Sequence, residues 1–157
     1  MADSYGVNGK QLTSQYKEFI STYRQWDQLG HASEYVLFKQ NIGPRLCIDE
    51  TSLSRGELYT VVTNRAEHGG RGTLVAMIRG TKSEDVIKVL EMIHVSKRKT
   101  VKEVTLDLSP TMMRIVRTAF PNATMTNDRF HVQKLFYEAI DELRVTYRWM
   151  ARDLEND

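Results

Sequence analysis

The spacing of apolar residues changes several times along the chain. Leu12, Tyr16, Phe19, Ile20 and Tyr23 recur every three or four positions and Trp26 extends the series, which predicts an amphipathic helix over residues 12–29. The preceding "SYGVNGK" is rich in turn residues. Residues 30–44 read as a connector closed by "NIGP", where Gly43 and Pro44 mark a boundary. Beyond it the period drops to two. Arg45–Leu53 and Glu57–Asn64 read as strands joined by the short turn "SRG". In "ELYTVVTN", Leu58, Thr60 and Val62 share one face and Tyr59, Val61 and Thr63 the other. The loop "RAEHGGRG" leads to a third strand, "TLVAMIRG". A helix follows, with Ser83 as N-cap, Glu84 and Asp85 in its first turn, and a stripe of Val86, Ile87, Leu90 and Ile93. The basic run "SKRKT" suits its carboxyl end. Val101–Leu108 reads as a fourth strand. Ser109 and Pro110 then start a helix carrying Met112, Ile115, Val116, Ala119 and Phe120, which Pro121 stops. "ATMTN" is a short fifth strand. A last helix covers residues 130–150, with Val132, Leu135, Phe136, Ala139, Ile140, Leu143 and Tyr147 on one face.

Three strands close in sequence favour an antiparallel meander, and strands separated by helices favour parallel crossovers. The predicted fold is therefore α/β: a ribonuclease-H-like mixed five-stranded sheet in order 3-2-1-4-5, with helices on both faces and an N-terminal helix. Residues 1–42 form a helical segment and linker, and residues 43–157 form the core. In that order the first and fourth strands are parallel neighbours, about 4.8 Å apart.

Composition narrows the function classes only modestly. The 157 residues are 41% hydrophobic and 27% charged, as expected for one globular domain with a real core. A net charge of +2 permits a nucleic-acid partner without demanding one. The single cysteine, Cys47, excludes an internal disulfide framework and a cysteine-rich zinc site, and suits a reducing, cytoplasmic setting. No run of about 18 apolar residues predicts a membrane span, and no secretory signal is visible.

Three aspartates stand out against this pattern. Asp49 interrupts the apolar strand "LCIDET", sharing a face with Cys47, while Glu50 points to the other face and is left outside the site. Asp107 ends the fourth strand. The two strands are expected neighbours, so Asp49 and Asp107 make a divalent-metal site, Mg²⁺ or Mn²⁺ by ligand type. Structural readings stand beside this one: Asp49 on a solvated sheet face, and Asp107 as a helix-capping carboxylate. Asp128 and His131, in "DRFH" after the fifth strand, arrive at the same edge. Asp128 is a third candidate ligand or the cap of the last helix. His131 is a supporting residue or a packing one. Lys97, Arg98 and Lys99, with Arg129 and Lys134, are candidate DNA-binding cations, against the plain alternative of a solvated charged face. Arg65 and Arg71 flank the long hairpin loop.

The segments "IDETSL" and "VTLDLSPTM…FPNATMTNDRFHVQKLFYEAIDELR" resemble the catalytic core of DDE transposases from bacterial insertion sequences, over about residues 43–148. The lead "YGVNGKQLTSQYKEFISTYRQWD" is similar to the stretch joining a helix-turn-helix region to such a core. The resemblance implies two divalent metals held by an acidic triad. They activate water and then a DNA 3′-hydroxyl for in-line attack on phosphodiesters. Asp49 matches the first acid and Asp107 the second. Some related transposases carry a Cys-x-x-His pair where this chain has Asp128 and His131.

The third acid of the group, a glutamate in a glycine- and asparagine-containing motif, is expected beyond residue 157. The chain thus reads as a fragment, inactive on its own, that lacks the DNA-end-binding module too. Glu138, Asp141 and Glu142 alternate with Lys134, Arg144 and Arg148 and read as a solvated, salt-bridged helix face. The implied partner is DNA, at transposon ends and target, with homo-oligomer formation left open. The competing readings are an inactive remnant that binds DNA or a partner chain, and a ribonuclease-H-like nuclease.

Overall fold

One mixed sheet organises the molecule. The computed structural model describes Gly6, residues 8–53 and residues 56–156. Six strands, β1 (Tyr35–Leu37), β2 (Arg45–Ser52), β3 (Leu58–Asn64), β4 (Leu74–Arg79), β5 (Glu103–Leu106) and β6 (Thr124–Asn127), lie in the order β1-β4-β3-β2-β5-β6. β2, β3 and β4 are antiparallel neighbours, β5 runs parallel to β2, and β6 runs parallel to β5.

The sheet thus has six strands where five were expected, and its order differs accordingly. The addition is β1, which pairs antiparallel with β4 from within the stretch read as a connector. It is three residues long, too short for a period-two pattern to stand out. Residues 28–31 hold its outer edge in place of another strand. Leu37 N donates to Gln28 Oε1 at 2.6 Å, Tyr35 N donates to the His31 carbonyl at 2.9 Å, and His31 Nδ1 lies 3.0 Å from the Tyr35 carbonyl. His31 also stacks on the Tyr35 ring.

α2 (Ser83–Glu91) and α4 (Pro110–Ala119) pack together on one face of the sheet. Leu46 and Ile48 of β2, Val62 of β3, Ala76 and Ile78 of β4, and Val104 and Leu106 of β5 meet Val86, Leu90, Met112, Ile115 and Val116 there. These side chains are almost fully removed from water, and each of them larger than Ala76 contributes about 1.5–3 kcal/mol of hydrophobic stabilisation. Between the two helices' chain segments lies the short α3 (Val95–Arg98).

Several expectations need correction. Helices cover one face rather than both, because α5 (Arg129–Asn156) is exposed along its described side chains apart from the half-buried His131. The helix expected over residues 12–29 is α1 (Gly9–Gln15) followed by a π-type turn at Tyr16–Ile20, with extended Ser21 ending it. A 3₁₀ turn at Tyr23–Gln25 comes next. Leu12, Tyr16, Phe19 and Ile20 are all exposed, so no core packing enforces a longer helix. Lys82, not Ser83, occupies the cap position of α2. Ser109 does stand at the cap position of α4 with Pro110 behind it, but its hydroxyl makes no capping bond. Of the turn "SRG", Ser54 and Arg55 lie outside the described residues, as do Ser4, Tyr5 and Val7 of "SYGVNGK".

Candidate functional site

Strand register brings the three aspartates level. Continuing the Arg45–Glu103 pairing four residues along both strands sets Asp49 opposite Asp107. Continuing the Leu106–Asn127 pairing by one sets Asp107 opposite Asp128. Side chains alternate along each strand. Within β2, Asp49 shares the face of Cys47, away from α2 and α4, while Asp107 and Asp128 lie one residue past the ends of β5 and β6. The row sits at the carboxyl ends of β5 and β6, where open α/β sheets commonly bind ligands.

Each carboxylate is steadied by a nearby backbone N–H. Asp49 Oδ1 accepts from Glu50 N at 2.8 Å, Asp107 Oδ1 from Ser109 N at 2.9 Å, and Asp128 Oδ1 from Phe130 N at 3.0 Å. Asp128 also accepts Val132 N on its carbonyl at 3.2 Å, so it caps α5. The capping reading of Asp128 is thus realised in geometry, whereas Asp107 makes a turn bond to Ser109 N ahead of α4 and does not cap it. One oxygen of each carboxylate is used in this way, which fixes the side chain and leaves the second for a ligand. Nor is Asp49 a buried charge: its side chain is 55% exposed on an open face.

His131 joins the row, because the first turn of α5 carries it back over the sheet. Its Nε2 lies 3.9 Å from Asp49 Oδ1. Beneath them, burial first, and then the charges of Asp49 and Asp128, push the Cys47 thiol above its usual range, while Arg65 pulls it down. Arg65 is anchored two residues below the aspartate row, donating to Thr105 Oγ1 at 2.7 Å and lying 3.6 Å from Glu103.

Glu50 lies on the other face of β2 from Asp49, as strand alternation predicts. Register assigns it to the helix-bearing side, yet its carboxyl is raised above the usual carboxylate range, by partial desolvation first and then by the charges of Asp107 and Asp49. Strand alternation separated Glu50 from Asp49. Only the end of β5 at Leu106 brings Asp107 close to both. No group of three or more His, Cys, Asp or Glu side chains placed to hold a metal occurs among the described residues.

The basic residues divide between the two ends of the sheet. Arg129 directly follows Asp128, and Lys134 lies one turn further along α5, 3.8 Å from Glu138. Lys97, Arg98 and Lys99 belong to α3 and its end, before β5 begins, and so lie at the opposite end of that strand from Asp107. Arg98 is structurally engaged: Nε donates to the Ile93 carbonyl at 3.0 Å and Nη1 to the Ala119 carbonyl at 2.8 Å. Lys97 and Lys99 are exposed.

A mixed sheet with acidic residues aligned at the ends of its parallel strands defines an α/β protein with a candidate carboxylate centre. The ISL3-type DDE transposase family model, described as "Transposase", matches residues 46–157, from β2 through α5. The chain belongs to this transposase family of insertion sequences. No curated protein matches it.

Proposed function

We propose that the chain carries a metal-dependent DDE transposase centre on a ribonuclease-H-like fold. Its role would be phosphodiester hydrolysis and strand transfer in DNA transposition. The observation that carries this reading is the alignment of Asp49, Asp107 and Asp128 on one register row across β2, β5 and β6. The run β4-β3-β2-β5-β6, an antiparallel meander continued by two parallel strands, supports the fold assignment.

Asp49 and Asp107 would hold Mg²⁺ or Mn²⁺, with Asp128 beside them and His131 supporting Asp49. The donor chemistry fits. These ions take hard oxygen ligands, and Mg²⁺ is commonly bound through one or two carboxylates, with water and substrate phosphate completing its shell. When bound, the ion supplies charge stabilisation and an activated oxygen nucleophile. The chain's own contribution is positioning. The N–H groups of Glu50 and Ser109 fix the two carboxylates, so little reorganisation is needed when substrate arrives. Arg129 and Lys134 would meet DNA phosphates next to the row, and Lys97 and Lys99 would meet the backbone further away. A cytoplasmic setting with DNA belongs to the same proposal; no helix among the described residues is long and apolar enough to cross a membrane.

A second reading, DNA binding without cleavage, is favoured by one observation: no three candidate ligands converge among the described residues. The test of the main reading is duplex-DNA affinity, measured by fluorescence anisotropy in Mn²⁺ and in EDTA. Binding should be tighter in Mn²⁺, and Asp49→Asn and Asp107→Asn should each remove the difference. Equal affinity of the unaltered chain in both buffers would contradict the proposal.

A further inference from the structure

We propose that the concavity at the amino ends of β2 and β5 is a second, metal-independent phosphate site that holds the DNA backbone. The identity of the ligand rests on the transposase reading above. The concavity measures about 740 Å³, and its polar lining is Arg45, Arg65, His68, Lys102 and Glu103. The start of β2, the end of β3 and the start of β5 meet there. Three cations face one carboxylate, so two positive charges are left uncompensated before His68 is counted. Lys102 and His68 are exposed, and neither side chain has an ion-pair or hydrogen-bond partner among the described residues.

Glu103 organises the two arginines. Its Oε2 lies 3.9 Å from Arg45 Nε and its Oε1 lies 3.6 Å from Arg65 Nη1. Arg65 Nη1 also donates to Oγ1 of the buried Thr105 at 2.7 Å. These contacts use one nitrogen of each guanidinium. The others remain for the forked hydrogen bonding with which arginine takes phosphate oxygens. Glu103 is 31% exposed, against 50% for Arg65 and 71% for Arg45, so the carboxylate is the shielded partner and the cations meet solvent.

Position favours a polymer backbone over a free anion. Arg45 and Asp49 share one face of β2 and lie about 13 Å apart, four residues at roughly 3.3 Å each. The helices α2 and α4 pack on the other face, which leaves the path between the two residues open. One strand of duplex DNA carries a phosphate about every 3.4 Å of helix axis, so a duplex engaged at the aspartates presents further phosphates at this range. The two ends differ in what they need. The aspartate row is acidic and takes a phosphate only through a cation, whereas the Arg45–Arg65–Lys102 pocket is itself basic.

The test is the affinity of a fluorescein-labelled DNA duplex for the 157-residue chain in EDTA, read by anisotropy over a range of salt. Arg45→Ala with Lys102→Ala should weaken binding at least 10-fold and lower the slope of log affinity against log salt by about 2. Lys102→Ala alone, at an exposed side chain, should lower the slope by about 1 with an unchanged thermal midpoint. Asp49→Asn should not weaken binding in EDTA. Since these arms contain no divalent ion, failure of the metal reading leaves them untouched. Any Mn²⁺-dependent gain should in turn survive in the Arg45/Lys102 variant, because its aspartates are intact. Unchanged affinity and slope in that variant would overturn the inference. Inorganic phosphate, titrated by calorimetry, separates the two sources of phosphate. Binding that the double substitution removes, while DNA affinity stays the same, would assign the pocket to the free anion and overturn the DNA assignment.

Discussion

His131 Nε2 stands 3.9 Å from Asp49 Oδ1, although the two residues lie 82 positions apart in the sequence. The contact ties the start of α5 to the middle of β2. On the proposed reading His131 would help to orient the carboxylate it faces. His131→Ala should therefore weaken Mn²⁺ binding by about 10-fold without abolishing it. Titration calorimetry of the variant checks this, and an unchanged affinity would reduce His131 to a packing role.

The two basic groups should behave differently on DNA. Arg129→Ala and Lys134→Ala should each reduce the slope of log affinity against log salt by about 1, as loss of one phosphate contact does. Arg98→Ala should act instead through the fold, because its guanidinium holds the carbonyls of Ile93 and Ala119. A lowered thermal midpoint with an unchanged salt slope is the expected result.

Gly43 should tolerate no side chain. A Cβ there would lie 2.6 Å from the Asn64 Oδ1 atom, and Asn64 is buried and accepts the Ala66 N–H. Gly43→Ala should destabilise the chain by about 1–3 kcal/mol, as overpacking does. Urea denaturation with an unchanged m-value would measure it.

Between α2 and α4, Glu84 Oε1 lies 2.6 Å from Arg114 Nη1. The Glu84 carboxyl is held below its usual range by backbone N–H bonding at the start of α2, then by the Ser83 hydroxyl and the Arg114 charge. Its folded-state value is depressed, so its contribution is present above the unfolded glutamate range, about pH 4, and is lost as pH falls through the lower folded value. Glu84→Gln should lower the thermal midpoint at neutral pH, and the difference should vanish in strong acid. A difference that persists in acid would mean the loss comes from packing.

Much of this arrangement was legible in the sequence because it rests on periodicity. Alternation in "ELYTVVTN" and the stripes of α2 and α4 report one-sided burial directly; Asp49 stands out as a charge inside an apolar strand, and Asp107 and Asp128 as charges just past strand ends. What was hidden depends on long-range geometry. β1 is too short to show a period and is held by Gln28 and His31 from outside the sheet. Glu50 feels Asp107 only because β5 ends where it does. The apolar residues of α5 were visible in sequence, but their exposure within the described chain was not, since periodicity looks the same whether or not the residues are covered.

The chain as it stands should neither nick nor join DNA detectably in Mg²⁺ or Mn²⁺. Two-metal chemistry needs more carboxylate than Asp49 and Asp107 alone supply. Incubation with supercoiled plasmid is the check. Nicking that disappears in Asp49→Asn would show a complete site, and the further acid would be sought among Asp128, Glu138, Asp141 and Glu142.

The central claim is that the aspartate row binds a divalent cation, and calorimetric titration of Mn²⁺ into the 157-residue chain tests it most directly. Weak, saturable binding is predicted, abolished in both Asp49→Asn and Asp107→Asn and reduced in Asp128→Asn. Binding that persists unchanged in the Asp49 and Asp107 variants, or no binding to the unaltered chain, would contradict the account and leave the three carboxylates as helix caps and surface charges.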